Sequence, residues 1–253
     1  MLIWLYWGLI GLIFVMSALT FWGSLRSTNP YGRHMKEGQK GTMPALPAWL
    51  IFESPQLFAF ALTFWLTADN PGPVMVTLFG LWQAHYIYRA GIYPLRMNDR
   101  HKRFPKSAVY FGLVFNAING FLNGYAVAHA EHLMGTGWFS HPLFIAGCVV
   151  AAAGWLINFQ ADTILIRLRS DGSTGYKIPY GGAFRYVSSA NYFGEIILWI
   201  GWALMTFTVA GLSFALFTLS NLGPRALAHH RWYVKTFGED YPKDRKALIP
   251  KLL

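Results

Sequence analysis

Cysteine occurs once in this sequence, at Cys148. A single thiol leaves no intramolecular disulfide and no thiolate metal cluster, and Cys148, set in an apolar run, reads as a packing residue. Charge is scarce as well. Asp, Glu, Lys and Arg make up 13% of the chain while hydrophobic residues make up 54%, against about 25% charged in soluble domains, which excludes an ordinary soluble domain. No Gly-x-Gly-x-x-Gly opens a helix after a strand-like run, and βαβ alternation is missing, so a soluble dinucleotide-binding fold is excluded too. The histidines offer no ligand spacing. His129, Glu131, His132 and His141 lack a tight pattern on one helix, and the adjacent His229 and His230 point to different helix faces. No metal site is read. The N-terminus has no basic segment and no small-residue cleavage site before its first apolar run, which therefore reads as retained.

Long apolar runs are what the chain has in their place. Stretches able to cross about 30 Å of hydrocarbon as helices occupy 2–23, 46–67, 73–94, 108–130 and 142–166, and a region at 190–222, too long for one span, divides near Val209–Gly211. The expectation is an all-α integral membrane protein of seven transmembrane helices, a single membrane domain over 1–253. Charge placement orients it. Lys and Arg crowd the segments after the first, third, fifth and seventh helices, whereas the connections at 68–73 and 131–141 contain none. By the positive-inside rule the N-terminus is outside and the C-terminus cytoplasmic. The net charge of +10 thus follows from topology and contact with anionic lipid. Basic residues spread over separate membrane-proximal segments do not make a nucleic-acid surface.

Polar residues inside these runs mark a site, because an ionisable side chain in a membrane is costly. Glu53 lies a few residues into the second run, followed by Pro55, which tends to kink or start a helix. Tyr86, Arg89 and Tyr93 share one face of the third helix. Asn158 and Asp162 lie four residues apart on the fifth, and Asn191 and Glu195 open the sixth across a glycine-dense connection with Gly175, Gly181 and Gly182. The fourth helix interleaves Asn116, Asn119 and Asn123 with Gly112, Gly120 and Gly124, a pattern that suits close helix packing. From Pro224 to Leu253 the chain is amphipathic and basic, as an interfacial helix would be.

The wording of 154–251 is denser than any of these features alone. Asn158, Asp162, Leu165, Leu168 and Arg169 are followed by Tyr176, Ile178, Pro179, Gly181, Gly182, Phe184, Tyr186, Val187, Ser188, Ala190, Asn191, Gly194 and Glu195, then by His229, Tyr233, Glu239, Asp240, Tyr241, Pro242, Arg245, Ile249 and Pro250. This pattern resembles the steroid 5α-reductase family. The resemblance implies an NADPH-dependent 3-oxo-5α-steroid 4-dehydrogenase that reduces the 4,5 double bond of a 3-oxo-4-ene steroid. It implies a cofactor-binding half at about 154–253, with helices of about 1–131 on the substrate side and the C-terminal segment folded over the cofactor as a cytoplasmic lid. Glu53 and Tyr86 fall where the family has its catalytic carboxylate and proton donor. Tyr31, Arg33, Arg89, Tyr93, Asn158, Asp162, Arg169, Tyr176, Asn191, Glu195, His229, Tyr233 and Arg245 fall where it meets NADPH. The implied partners are a hydrophobic steroid-like substrate and membrane lipid, with no nucleic acid. The implied setting is an inner bacterial membrane or the endoplasmic reticulum. Three other readings stay open: reduction of polyprenyl or acyl-thioester lipids on the same scaffold, a membrane methyltransferase of the isoprenylcysteine type, and a lipid-binding protein without activity.

Overall fold

The computed structural model describes residues 1–27, 32–35, 38–98, 102–168, 170 and 175–253, and they fold almost wholly into helices. These are α1 (Leu2–Arg26), α2 (Ala45–Thr67), α3 (Pro73–Tyr86), α4 (Lys106–His129), α5 (Pro142–Arg167), α6 (Ala190–Thr206) and α7 (Val209–Phe237). Of these, α1, α2 and α5 are long and apolar enough by length and composition to cross a membrane. Large apolar side chains stand exposed along them, among them Trp4, Val15, Leu19, Trp65, Val149 and Leu156, a surface suited to a lipid phase rather than water.

The elements depart from the sequence expectation in four places. First, α3 does not stop or continue regularly but passes through a π-helical turn, Ile87–Ile92, before a last α-turn, Tyr93–Arg96. Second, the expected division near Val209–Gly211 falls about two residues earlier, at Phe207, in the left-handed conformation with φ 45°, and the Thr208 hydroxyl accepts from Gly211 N at 3.1 Å to cap the helix that begins at Val209. Third, α7 does not end near 222. It runs through Pro224 to Phe237; the proline only removes the donor to the carbonyl one turn back, and the packed flanks hold the helix on both sides. Fourth, the chain is not purely helical: β1 (Thr42–Pro44) pairs antiparallel with β2 (Arg103–Pro105), Met43 opposite Phe104, with Arg103 donating to the Thr42 carbonyl at 2.8 Å. Pro55 sits inside α2 without ending it, and the Ser54 hydroxyl donates to the Ile51 carbonyl that Pro55 cannot serve.

Small residues set the closest helix contacts. Along the α5–α6 seam, a Cβ added to Gly154 would stand 2.3 Å from Leu198 N, and one added to Gly201 would stand 2.3 Å from Ala151 N. Backbones approach this closely only where side chains are absent. Between α2, α4 and α6, buried polar groups in a run satisfy one another. Gln56 donates to Asn116 at 2.9 Å, Asn119 donates to Gln56 at 3.3 Å, Asn123 donates to Asn119 at 3.1 Å, and the Trp202 indole donates to Asn123 at 2.9 Å. This ladder ties α2, α4 and α6 together. At the far end of the bundle, His132 and Trp138 bond to the carbonyls of Thr206 and Met205 that end α6.

Candidate active site

A cavity of about 820 Å³ opens between α1, α2, α3, α4, α6 and α7, with the end of α5 reaching it at Leu165 and Ile166. Arg89 stands on one wall, brought there by the π-turn, whose extra residue widens the helix and turns its side chain inward; such turns recur at functional sites. The guanidinium lies 3.2 Å from Asp162, 3.7 Å from Glu53 and 4.0 Å from Glu195, and it covers the rings of Trp49 and Tyr93, each 4.8 Å away. One cation thus gathers three carboxyl groups from three helices. Asn158 fastens the arrangement from behind: its amide donates to the Asn191 carbonyl at 2.9 Å and to Glu195 at 3.0 Å, while the Trp199 indole donates to the other Glu195 oxygen at 2.9 Å. Tyr86 is buried on the same wall as Glu53, stacked on Trp199 with ring centroids 5.9 Å apart.

The other end of the cavity is cationic. Arg33, Lys102, Arg103, Lys177 and Arg225 line it, with the imidazole of His229 beside them. Arg33 lies over the rings of Tyr233, Trp232 and Tyr176 at 4.4, 5.1 and 5.4 Å, and its buried Nη1 has no hydrogen-bond partner among the described residues. His34 stacks on His229 at 5.3 Å. Burial, and then the neighbouring Arg33, hold the His34 pKa below its ordinary value, so this loop imidazole is neutral at pH 7. The Arg225 guanidinium donates to the Tyr192 hydroxyl at 2.9 Å.

The C-terminal segment is strapped beneath this end. Ser188 N donates to the Lys246 carbonyl at 2.8 Å, Lys246 N returns a bond to Tyr186 at 2.9 Å, and buried Arg245 donates to the Pro179 carbonyl at 3.1 Å. The Ser188 hydroxyl is the hub of the strap, 2.6 Å from His230, 2.6 Å from the Tyr241 hydroxyl and 3.0 Å from the Lys246 carbonyl. Burial raises the Tyr241 pKa above the ordinary phenol value, so the phenol keeps its proton for this network.

Of the residues singled out in the sequence, Glu53, Tyr86, Arg33, Arg89, Tyr93, Tyr176, Asn191, Glu195, His229 and Tyr233 all line this cavity. Asn158 and Asp162, one turn apart on α5, are buried behind it and act on it through Glu195 and Arg89. Arg245 lies in the strap. Tyr31 and Arg169 fall outside the described residues. Sequence reasoning passed over Trp49, Trp199, Tyr192 and Arg225. Two of these carried a signal, since Trp49 precedes Glu53 by four residues and Trp199 follows Glu195 by four, which is the helical spacing that puts side chains on one face.

Comparison with known proteins agrees in one direction. Residues 102–253 match the family described as 3-oxo-5-alpha-steroid 4-dehydrogenase. The chain is 42% identical over 243 residues to a steroid 5-alpha-reductase of Solanum lycopersicum, covering 95% of this chain and 94% of that one. It is 40% identical over 233 residues to the human 3-oxo-5-alpha-steroid 4-dehydrogenase 1, covering 90% and 88%. With the 3-oxo-5-alpha-steroid 4-dehydrogenase 2 of Sus scrofa it shares 43% identity over 212 residues, covering 82% and 81%.

Proposed function

The chain belongs to the steroid 5α-reductase family, and from that premise we propose how its cavity reduces the 4,5 double bond of a 3-oxo-4-ene steroid with NADPH. The observation that carries the mechanism is that Glu53 and Tyr86 line one cavity beside Arg89. A phosphate-bearing cofactor fits the opposite end, where Arg33 keeps a buried, unbonded Nη1 among cationic neighbours; guanidinium groups bind phosphate with charge-assisted hydrogen bonds. Arg33, Tyr176, His229 and Tyr233 would hold it there, and Asn191, Glu195 and Arg89 would meet its reacting end. When bound, the nicotinamide supplies a hydride to the β-carbon of the enone.

The protein's own part is electrostatic. Protonated Glu53 and the Tyr86 phenol donate to the substrate carbonyl, on which negative charge grows as the double bond is reduced. Donors fixed at that oxygen stabilise the transition state more than the ground state. Arg89 holds Glu53 in place from one side, and the stack of Tyr86 on Trp199 fixes the phenol from the other. The enolate then takes one proton at the α-carbon from water, so that hydride and proton together saturate the double bond. In the membrane we read seven spans with the N-terminus outside and the C-terminus cytoplasmic, a single domain whose residues 154–253 supply most of the cofactor half.

The test is turnover by the purified protein with NADPH and a panel of 3-oxo-4-ene steroids, polyprenals and enoyl thioesters, read by mass spectrometry. Saturation of the steroid is expected. Tyr86→Phe and Glu53→Ala should each lose about 10²–10³ in rate, the cost of removing one donor to a developing oxyanion, with Glu53→Gln less impaired. Reduction confined to the other lipid classes, or near wild-type rates in both variants, would refute the mechanism.

A further inference from the structure

Polar side chains inside this protein's helices bond mostly to the chain itself. The amides of α2 and α4 satisfy one another, and Thr206 and Ser213 each donate to a carbonyl of their own helix at 2.9 Å. Thr218 and Asn221 on α7 differ. Both line the cavity, and neither side chain has a hydrogen-bond partner among the described residues. A hydroxyl and an amide that open into the cavity are available to a polar group of whatever ligand fills it.

Their place along α7 narrows the ligand. Phe214 stands against Trp199 with ring centroids 4.3 Å apart, and Trp199 stands against Tyr86, so α7 passes the carbonyl-binding pair at Phe214. Thr218 lies one turn further. Asn221 lies two turns further, about 10 Å by the helical rise, which is comparable to the length of a fused four-ring skeleton. Phe217 lies between, stacked on Phe115 at 3.9 Å with Phe111 at 6.5 Å, and gives a flat hydrocarbon its wall. Beyond Asn221 the helix turns cationic at Arg225.

We propose that Asn221, assisted by Thr218, is a specificity-determining residue that hydrogen-bonds an oxygen substituent at the end of the substrate remote from the reacting enone. An amide both donates and accepts, so a hydroxyl or a ketone there suits it equally. The proposal rests on reading the cavity as an enone-reductase site.

The experiment compares two 3-oxo-4-ene steroids that differ only in carrying or lacking an oxygen on the terminal ring, using the purified full chain with NADPH. Wild type favours the oxygenated steroid by about 10-fold in kcat/KM, the worth of one buried hydrogen bond. Asn221→Leu brings the ratio of the two close to one, and Thr218→Val lowers it in part. The ratio compares two substrates on one protein, so a general loss of stability leaves it unmoved. Equal efficiency of the two steroids on wild type overturns the proposal even where a variant does not fold. So does a preserved ratio in Asn221→Leu, or a raised KM for NADPH with the ratio untouched, which would give the amide to the cofactor. Failure of wild type to reduce either steroid would instead bring down the reading of the reaction, and this proposal with it.

Discussion

Gly194→Ala tests how tightly the site depends on the α5–α6 seam. An added Cβ would stand 2.4 Å from Asn158 N, 2.8 Å from Asn158 Cα and 2.8 Å from the Gly154 carbonyl. All three are backbone atoms, so no side chain can swing aside, and reaching ordinary contact at about 3.5 Å requires α5 to retreat by about 1 Å. Asn158 rides on that retreating backbone. Its bonds to Glu195 at 3.0 Å and to Asn191 at 2.9 Å would stretch to about 4 Å, beyond hydrogen-bond range, and would leave the carboxylate that faces Arg89 held by the Trp199 indole alone. Overpacking of this kind costs about 1–3 kcal/mol, and a misplacement of about 1 Å in a site costs about 10² in rate. The assay pairs the thermal unfolding midpoint in detergent with kcat/KM for a 3-oxo-4-ene steroid. Gly11→Ala serves as control, because nothing lies within 4 Å of a Cβ added there. A Gly194→Ala protein matching wild type in both measurements would refute the reasoning.

Three further outcomes are expected. Arg89→Ala leaves three carboxyl groups facing one another and should destabilise by about 3–5 kcal/mol; adding Asp162→Asn should recover part of the loss, and a double-mutant cycle that shows additivity would break the cluster argument. Ser188→Ala removes the hub joining His230, Tyr241 and Lys246 and should expose the segment after Gly238 to limited proteolysis, whereas an unchanged cleavage rate would mean the strap is held elsewhere. In a background without Cys148, single cysteines placed at 68–72 or 133–140 should react with an impermeant reagent from outside, and labelling from the opposite side would reverse the topology.

Much of the site was legible because the membrane makes polar residues conspicuous. Glu53, Arg89, Asp162 and Glu195 stood out against apolar neighbours, and the structure gathers them around one guanidinium. The π-turn that aims Arg89 was not legible, since no residue of Ile87–Ile92 is peculiar to that geometry. Pro224 misled in the opposite sense: it reads as a boundary, yet tertiary packing carries α7 across it. Asn158 drew notice as a residue one turn before Asp162, but its bond to Glu195 depends on how closely Gly154 and Gly194 let two helices approach, a distance that periodicity does not encode. Thr218 and Asn221 were passed over because a hydroxyl and an amide near the end of an apolar run look unremarkable until their neighbours are known.

The small ribbon carries an arithmetic consequence for the membrane path. Thr42–Pro44 runs directly into α2 and Arg103–Pro105 directly into α4, and the two strands are bonded to each other. Both helices therefore set out from one anchor on one face, so the number of crossings between them must be even, whatever the charges say. The bridge between Val187 and Lys246 imposes the same parity on α6 and α7. An odd number of crossings between Pro44 and Arg103, or between Val187 and Lys246, would part these bonds.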